Sequence, residues 1–333
     1  MAKTVAVIPG DGIGPEVVDA ALEVLDALDA DLEYLHASAG LETKRREGTY
    51  LPEATLAAVR AADAVLFGAI TSPLATEDPG YRSVILTLRQ ELDAYANVRP
   101  ARDLGQPCKA PGLDLVLVRE NTEGMYNCPE EEDAEGVTTF RRITRRGSQR
   151  VTRFALEWAK ARGRRRVTCL HKANVLRKSD GLFRAVFQEE AKRYQDDITA
   201  DEMLLDNAAL QLVLHPHRFD VLVTMNLYGD VLSDEMAGLV GGLGFAPSGS
   251  FGPRAALFEP VHGSAPDIAG KGVANPCGAI LSAAMMLDHL GMGDEARRVE
   301  DAVRRALRQG LTPDAGGTLT TAAFTSLVVA GLK

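Results

Sequence analysis

Asp230 and Asp234, in LYGDVLSDEMAGL, stand four residues apart. On a helix that spacing puts both carboxylates on one face, one turn apart. Two anionic oxygens on a rigid face suit a hard divalent cation, Mg²⁺ or Mn²⁺, that keeps waters for a substrate to displace. A solvated helix face is the other reading of such a pair. Here the flanks Met225 to Gly229 and Met236 to Pro253 are uncharged, and an acidic pair in so apolar a stretch needs a partner. Arg89, Arg99 and Arg119 each border an apolar segment. Guanidinium forks bind carboxylates bidentately, so three that converged would hold a di- or tricarboxylate; taken singly, each also suits a surface. Lys172, in His171-Lys172-Ala173-Asn174, and Tyr126, in RENTEGMY, are proton carriers. A lysine works as a base near neutral pH only where burial or a neighbouring cation lowers its pKa. The loop Glu259 to Asp267 is built of Gly and small residues that let backbone N–H groups approach a dinucleotide, with an acid for ribose hydroxyls. The opening Gly10-Asp11-Gly12-Ile13-Gly14 spells GxGxG rather than GxGxxG and is not a Rossmann fingerprint.

The segments that must position these groups alternate between strand-like and helix-like patterns, which predicts an α/β protein. Val5 to Ile8 reads as a short buried strand. Pro15 and Glu16 then open a helix with Val18, Ala21, Leu22 and Leu25 on one face. Ala64 to Phe67, Asp114 to Val118, Val167 to Leu170 and Phe219 to Val223 resume the strand pattern, and residues 150–161 are helical. In 130–146 an acidic run, Glu130 to Asp133, precedes Arg141, Arg142, Arg145 and Arg146, a block of opposed charge that suits an exposed arm.

The chain has 333 residues with 37 basic and 46 acidic side chains, hence 37 − 46 = −9. That balance argues against general affinity for nucleic acid, and the arginines at 162–166 and 141–150 read as a solvated face. The 18-residue uncharged stretch Met236 to Pro253 holds six Gly and two Pro and is no membrane span. Cys108, Cys128, Cys169 and Cys277 form no CxxC pair and read as reduced thiols of a cytoplasmic protein.

Six motifs run in order through almost the whole chain: IPGDGIGPE, LRQELDAYANVRP, LVRENTEGMY, HKANVL, NLYGDVLSDEMAGLVGGLG and EPVHGSAPDIAGKGVANP. Through them the chain resembles the β-decarboxylating dehydrogenases, which act on isocitrate, 3-isopropylmalate or homoisocitrate. RENTEG, where isopropylmalate dehydrogenases typically carry RELTGG, is more similar to the homoisocitrate branch. The resemblance implies the isocitrate/isopropylmalate dehydrogenase fold: two α/β domains around a mixed sheet, not a Rossmann fold. Residues 1–98 and 248–333 would form a discontinuous cofactor-rich domain. Residues 99–247 would carry the dimer interface and the arm at 130–146.

It also implies roles. Arg89, Arg99 and Arg119 would grip the carboxylates of the malate portion, with Ser72 and Asn174 nearby. Asp230 and Asp234 would hold Mg²⁺ or Mn²⁺ together with Asp206 of the partner subunit. Lys172, also from the partner, would be the base and Tyr126 the acid. Asn174, His262, Gly263, Ser264, Ala265, Pro266, Asp267 and Asn275 would contact NAD. Asp267-Ile268 stands where NADP-dependent isocitrate dehydrogenases have Lys then Tyr, so NAD is expected. The expected reaction turns homoisocitrate into 2-oxoadipate for lysine biosynthesis, in a homodimer or larger homo-oligomer with shared sites. Ser83, with Arg82, would receive the distal carboxylate. Leu86 is the residue of the isopropylmalate type, so isocitrate and 3-isopropylmalate stay open as substrates. A regulatory, non-catalytic subunit is the alternative of another class.

Overall fold

Val5-Ala6-Val7-Ile8 is continuously apolar because the strand it forms is covered on both faces. All four side chains are fully buried; Val5 and Val7 join one apolar cluster, Ala6 and Ile8 another. The computed structural model describes residues 2–74, 76, 78 and 80–332. This strand, β1 (Lys3–Gly10), is followed by α1 (Gly14–Asp26), β2 (Leu32–His36), α2 (Leu41–Glu47), α3 (Glu53–Ala61), β3 (Ala64–Ala69) and α4 (Val84–Glu91).

The chain then passes through β4 (Ala96–Arg102) and β5 (Asp114–Glu120), a hairpin of β6 (Glu130–Glu132) and β7 (Val137–Thr139), and α5 (Arg145–Ala161). Next come β8 (Arg166–His171), α6 (Ser179–Ala191), β9 (Thr199–Leu204), α7 (Leu205–Leu214), β10 (Val221–Thr224) and α8 (Asn226–Leu239). It ends with β11 (Pro247–Phe251), β12 (Ala256–Pro260), α9 (Cys277–His289), α10 (Gly293–Leu307) and α11 (Thr321–Gly331).

Two units result. The first comprises the chain up to Ala94, Leu104–Pro107 and the chain from Gly241 onward; the second comprises Tyr95–Asp103 and Cys108–Val240. The sequence places these crossings later, at 98/99 and 247/248, and has no counterpart for the return at 104–107. In the first unit the strand order is β2-β1-β3-β12-β11, parallel except for β11. One face packs on α1, α9, α10 and α11 through Val17, Val24, Ile280, Val303 and Val328. The other meets α3 and α4 through Val59, Val84 and Leu88.

In the second unit the order is β4-β5-β10-β8-β9, with only β4 antiparallel. Leu115, Leu117, Leu170 and Leu222 face α7 and α8, and α5 and α6 pack on the sheet as well. The residues at 130–139 form the expected exposed arm as a two-stranded hairpin. Arg145 and Arg146, read with that arm, instead open α5, which begins five residues before position 150 because Thr144 caps it by accepting from Gly147 N at 2.9 Å. The strand read at Phe219 to Val223 starts only at Val221; the 3₁₀ turn Pro216–Arg218 occupies the chain just before Phe219. Among the described residues no helix is long and apolar enough to cross a membrane.

Candidate active site

In α/β sheets, ligands lie beyond the carboxyl ends of the parallel strands. In the second unit those ends deliver Arg119 from β5, Lys172 from β8 and α8 from β10. The β4–β5 register sets Asn97 directly opposite Arg119. Arg99, two residues from Asn97, shares its face. Arg119, 1% exposed, donates to Asn226 Oδ1 from Nε at 3.0 Å and Nη2 at 2.7 Å, and its Nη1 pairs with Asp230. Arg99 donates to Asn97 Oδ1 at 2.8 Å and Ser233 Oγ at 2.6 Å. Helix α8 comes this close because position 229 is glycine: a Cβ there would lie 2.7 Å from Arg119 Cγ. Asn97, Asn226, Gly229 and Ser233 are the functional residues that sequence reasoning missed. Only Asn226 and Gly229, polar or small in an apolar helix beside Asp230, carry any signal.

Arg99 Nη1 lies 3.2 Å from Asp230 Oδ1 and 3.6 Å from Asp234 Oδ1. The two carboxylates therefore already share one cationic group, and would offer two anionic oxygen ligands to a divalent cation. Burial pushes the Asp234 carboxyl above its usual range, helped by Asp230 and opposed by Arg99 and Arg119. A cation would relieve that cost. Tyr126 donates to Asp230 Oδ2 and lies under the Arg119 guanidinium, 4.8 Å from ring centroid to Cζ. Burial first, then this bond to Asp230, raises its phenol, so it holds its proton well into the alkaline range.

Asp206 does not join them within the chain. Among the described residues no three His, Cys, Asp or Glu side chains gather to hold a metal, and Asp206, on α7, pairs with Lys172 Nζ at 2.8 Å. That hydrogen bond holds the Asp206 carboxyl below its usual range. Asn174 is exposed in the turn beyond Lys172. Arg164 is engaged by Asp114 and Asp220, and Arg166 by Asp201.

The first unit carries its own set. Arg89 is buried and donates to Glu259 at 3.0 Å, while its Nε has no partner among the described residues. Ser72 Oγ meets the Tyr81 hydroxyl at 3.2 Å. Ser83 caps α4, accepting from Leu86 N at 3.4 Å. The loops after β1, β3 and β12 are stitched together: Ile13 N donates to Ser264 O at 2.8 Å and Thr71 Oγ1 to Ser264 Oγ at 2.8 Å. Gly12 serves this contact, since a Cβ there would sit 1.9 Å from Ser264 O. The opening glycines pack loop on loop, Gly10 against Ala69, Gly12 against Ser264 and Gly14 against Pro9.

Gly263, Pro266 and Asp267 are exposed, Ser264 is buried, and Ala265 takes a left-handed φ of 37°. Burial lowers the His262 imidazole pKa, so the ring is neutral, and Nδ1, 2.9 Å from Gly263 O, carries the proton. Among the described residues, His262 Nε2, an acceptor, and Asn275 Nδ2, a donor, are both buried without a partner. Such groups are costly unless a ligand completes them. An adenine edge offers both complements, so these residues fit a dinucleotide.

The profile of the isocitrate/isopropylmalate dehydrogenase family matches residues 4–328. The chain belongs to this family. An isocitrate/homoisocitrate dehydrogenase of Thermus thermophilus is 52% identical over 334 residues, covering 100% of this chain and 99% of that protein. A 3-isopropylmalate dehydrogenase of Methanothermobacter thermautotrophicus is 50% identical over 319 residues, covering 95% and 94%. The crystal structure of isocitrate dehydrogenase from Methylococcus capsulatus superposes with a TM-score of 0.95 at 44% identity, covering 100% and 99%. The chain is thus placed among the β-decarboxylating dehydrogenases of this family.

Proposed function

We propose that the chain catalyses NAD⁺-dependent oxidative decarboxylation of a (2R,3S)-3-substituted malate, with homoisocitrate as its main substrate and 2-oxoadipate as product, a step of lysine synthesis through aminoadipate. The observation that carries the reaction is the buried arginine pair set against Asp230, Asp234 and Tyr126 on one strand-end surface. Arg99 and Arg119 grip the malate carboxylates, and Arg89 is given the same role, with Ser72 and Asn174 in support. Lys172 takes the proton of the 2-hydroxyl group, and Tyr126 returns a proton to C3 once CO₂ has left. Asp230 and Asp234, with Asp206 of the partner subunit, would hold Mg²⁺ or Mn²⁺, which when bound would supply Lewis acidity. The 262–267 loop and Asn275 would hold NAD⁺, which would supply the hydride acceptor. Asp267 would bond both ribose hydroxyls and repel a 2′-phosphate.

Two copies would complete each site. Leu210, Val213 and Leu214 on α7 are 54%, 61% and 56% exposed and share a face with Asp206; Val231 on α8 is 63% exposed between Asp230 and Asp234. An apolar patch around charged site residues fits a second copy of the same surface, in a two-fold dimer.

Names alone do not choose the substrate, because relatives at 52% and 50% identity carry different ones. What supports homoisocitrate is Ser83: its oxygen is engaged by Leu86 N, and its hydroxyl hydrogen is left to donate to a distal carboxylate beside exposed Arg82. Ser83→Ala and Arg82→Ala should each lower kcat/KM for homoisocitrate about 10- to 150-fold, the loss of a charge-assisted hydrogen bond, while sparing malate. Equal losses for malate would show a damaged helix cap instead, and unchanged values would remove Ser83 and Arg82 from the site.

A further inference from the structure

Asp180 lies on the first turn of α6 and is fully buried. A carboxylate in that position is costly unless every oxygen is answered. Oδ2 accepts from the backbone N–H of Lys172 at 2.8 Å, and Oδ1 accepts from Arg141 Nη2 at 2.8 Å. The carbonyl of Lys172 is fixed as well, accepting from Val175 N at 3.0 Å and Leu176 N at 2.9 Å. Both backbone polar groups of Lys172 are therefore pinned, leaving the side chain to be aimed from a rigid base. Arg141 in turn donates to the Tyr228 hydroxyl at 3.2 Å, with its guanidinium 5.2 Å from that ring's centroid. Tyr228 is two residues before Asp230, and Arg141 is two residues beyond the arm strand β7. One buried carboxylate thus ties the Lys172 turn, the root of the arm and α8 together.

We propose that Asp180, completed by Arg141, is a positioning residue for Lys172. This rests on the reading of Lys172 as the base. Asp180 need not touch the substrate: by holding the Lys172 N–H it sets where the amine stands when the 2-hydroxyl proton leaves. Small displacements of a proton acceptor are expensive in rate, since general-base catalysis requires hydrogen-bond reach. The Arg141 link means that the arm and the Lys172 turn are braced by the same ion pair.

The test is a double-mutant cycle on the full chain, read as kcat and KM separately. Asp180→Ala should lower kcat about 10- to 100-fold with KM within about threefold. In a Lys172→Ala background the same change should alter kcat less than about threefold, because there is no amine left to position. Asp180→Asn keeps an acceptor for the Lys172 N–H and should recover kcat to within about fivefold of wild type. If Asp180→Ala leaves Arg141 unpaired and fails to fold, the neutral pair Asp180→Ala/Arg141→Met takes its place in the cycle. An undiminished loss in the Lys172→Ala background would overturn the positioning role and leave the assignment of Lys172 intact. A Lys172→Ala enzyme with wild-type kcat would overturn both.

Discussion

Refolding equal amounts of Asp230→Asn and Lys172→Met chains together should restore about a quarter of wild-type activity, although neither variant turns over alone. Statistical pairing makes about half of the dimers mixed, and each mixed dimer has one site with both groups intact. Alone, Lys172→Met should lose about 10²- to 10⁴-fold, the usual worth of a general base, and Asp230→Asn should lose activity through the loss of an anionic oxygen. The reasoning starts from Lys172 and Asp206, which pair with each other at 2.8 Å, while Asp230 and Asp234 converge on Arg99. If the first pair serves the second across a two-fold axis, complementation follows. No recovery on co-refolding would place all four groups in one chain's site.

Arg119 gives the second large effect. It is fully desolvated, holds Asn226 through two donors and Asp230 through a third. Arg119→Met should cost about 2–5 kcal/mol in kcat/KM, some 30- to 5,000-fold, because substrate loses a fork and Asp230 loses its counter-charge. Arg119→Lys should recover little, since a point charge cannot bridge Asn226 and Asp230 at once. Kinetics of the purified variants check this, with thermal unfolding alongside. A kcat/KM within fivefold of wild type for Arg119→Met would remove Arg119 from substrate binding.

Much of this was legible in residues that act locally. Val5 to Ile8 and Asp230/Asp234 are each defined by a short period, two along a strand and four along a helix. The supports of the arginines were not, because they depend on approaches between distant segments. Asn226 reaches Arg119 across 107 residues, and Gly229 looks ordinary until the arginine beneath it is seen. RENTEG shows the same limit. Its Glu123 accepts from Thr144 N at 2.9 Å and Oγ1 at 2.7 Å, and its Glu120 accepts from Thr122 N at 2.7 Å. Glu120 holds the turn and Glu123 holds the start of α5 where the arm returns, so the Glu123 that distinguishes this motif reports how the arm is anchored. The breadth of α5 was hidden because its first turn is Arg-rich and polar, outside the apolar period that marks 150–161. The crossings between units were set a few residues late because Ala94 to Val98 continues without a break in composition.

The proposed reaction is oxidation coupled to loss of CO₂ from a 3-substituted malate with NAD⁺. The most direct measurement is kcat/KM of the wild-type enzyme with Mg²⁺ for homoisocitrate, isocitrate and 3-isopropylmalate, each with NAD⁺ and NADP⁺, following NADH and CO₂ together. Equal yields of NADH and CO₂, the highest kcat/KM with homoisocitrate, isocitrate second, and NAD⁺ favoured over NADP⁺ are the results expected. A clear preference for 3-isopropylmalate would make Leu86 the determinant in place of Ser83, equal use of NADP⁺ would remove Asp267 from its role, and no turnover of any of the three would contradict the account.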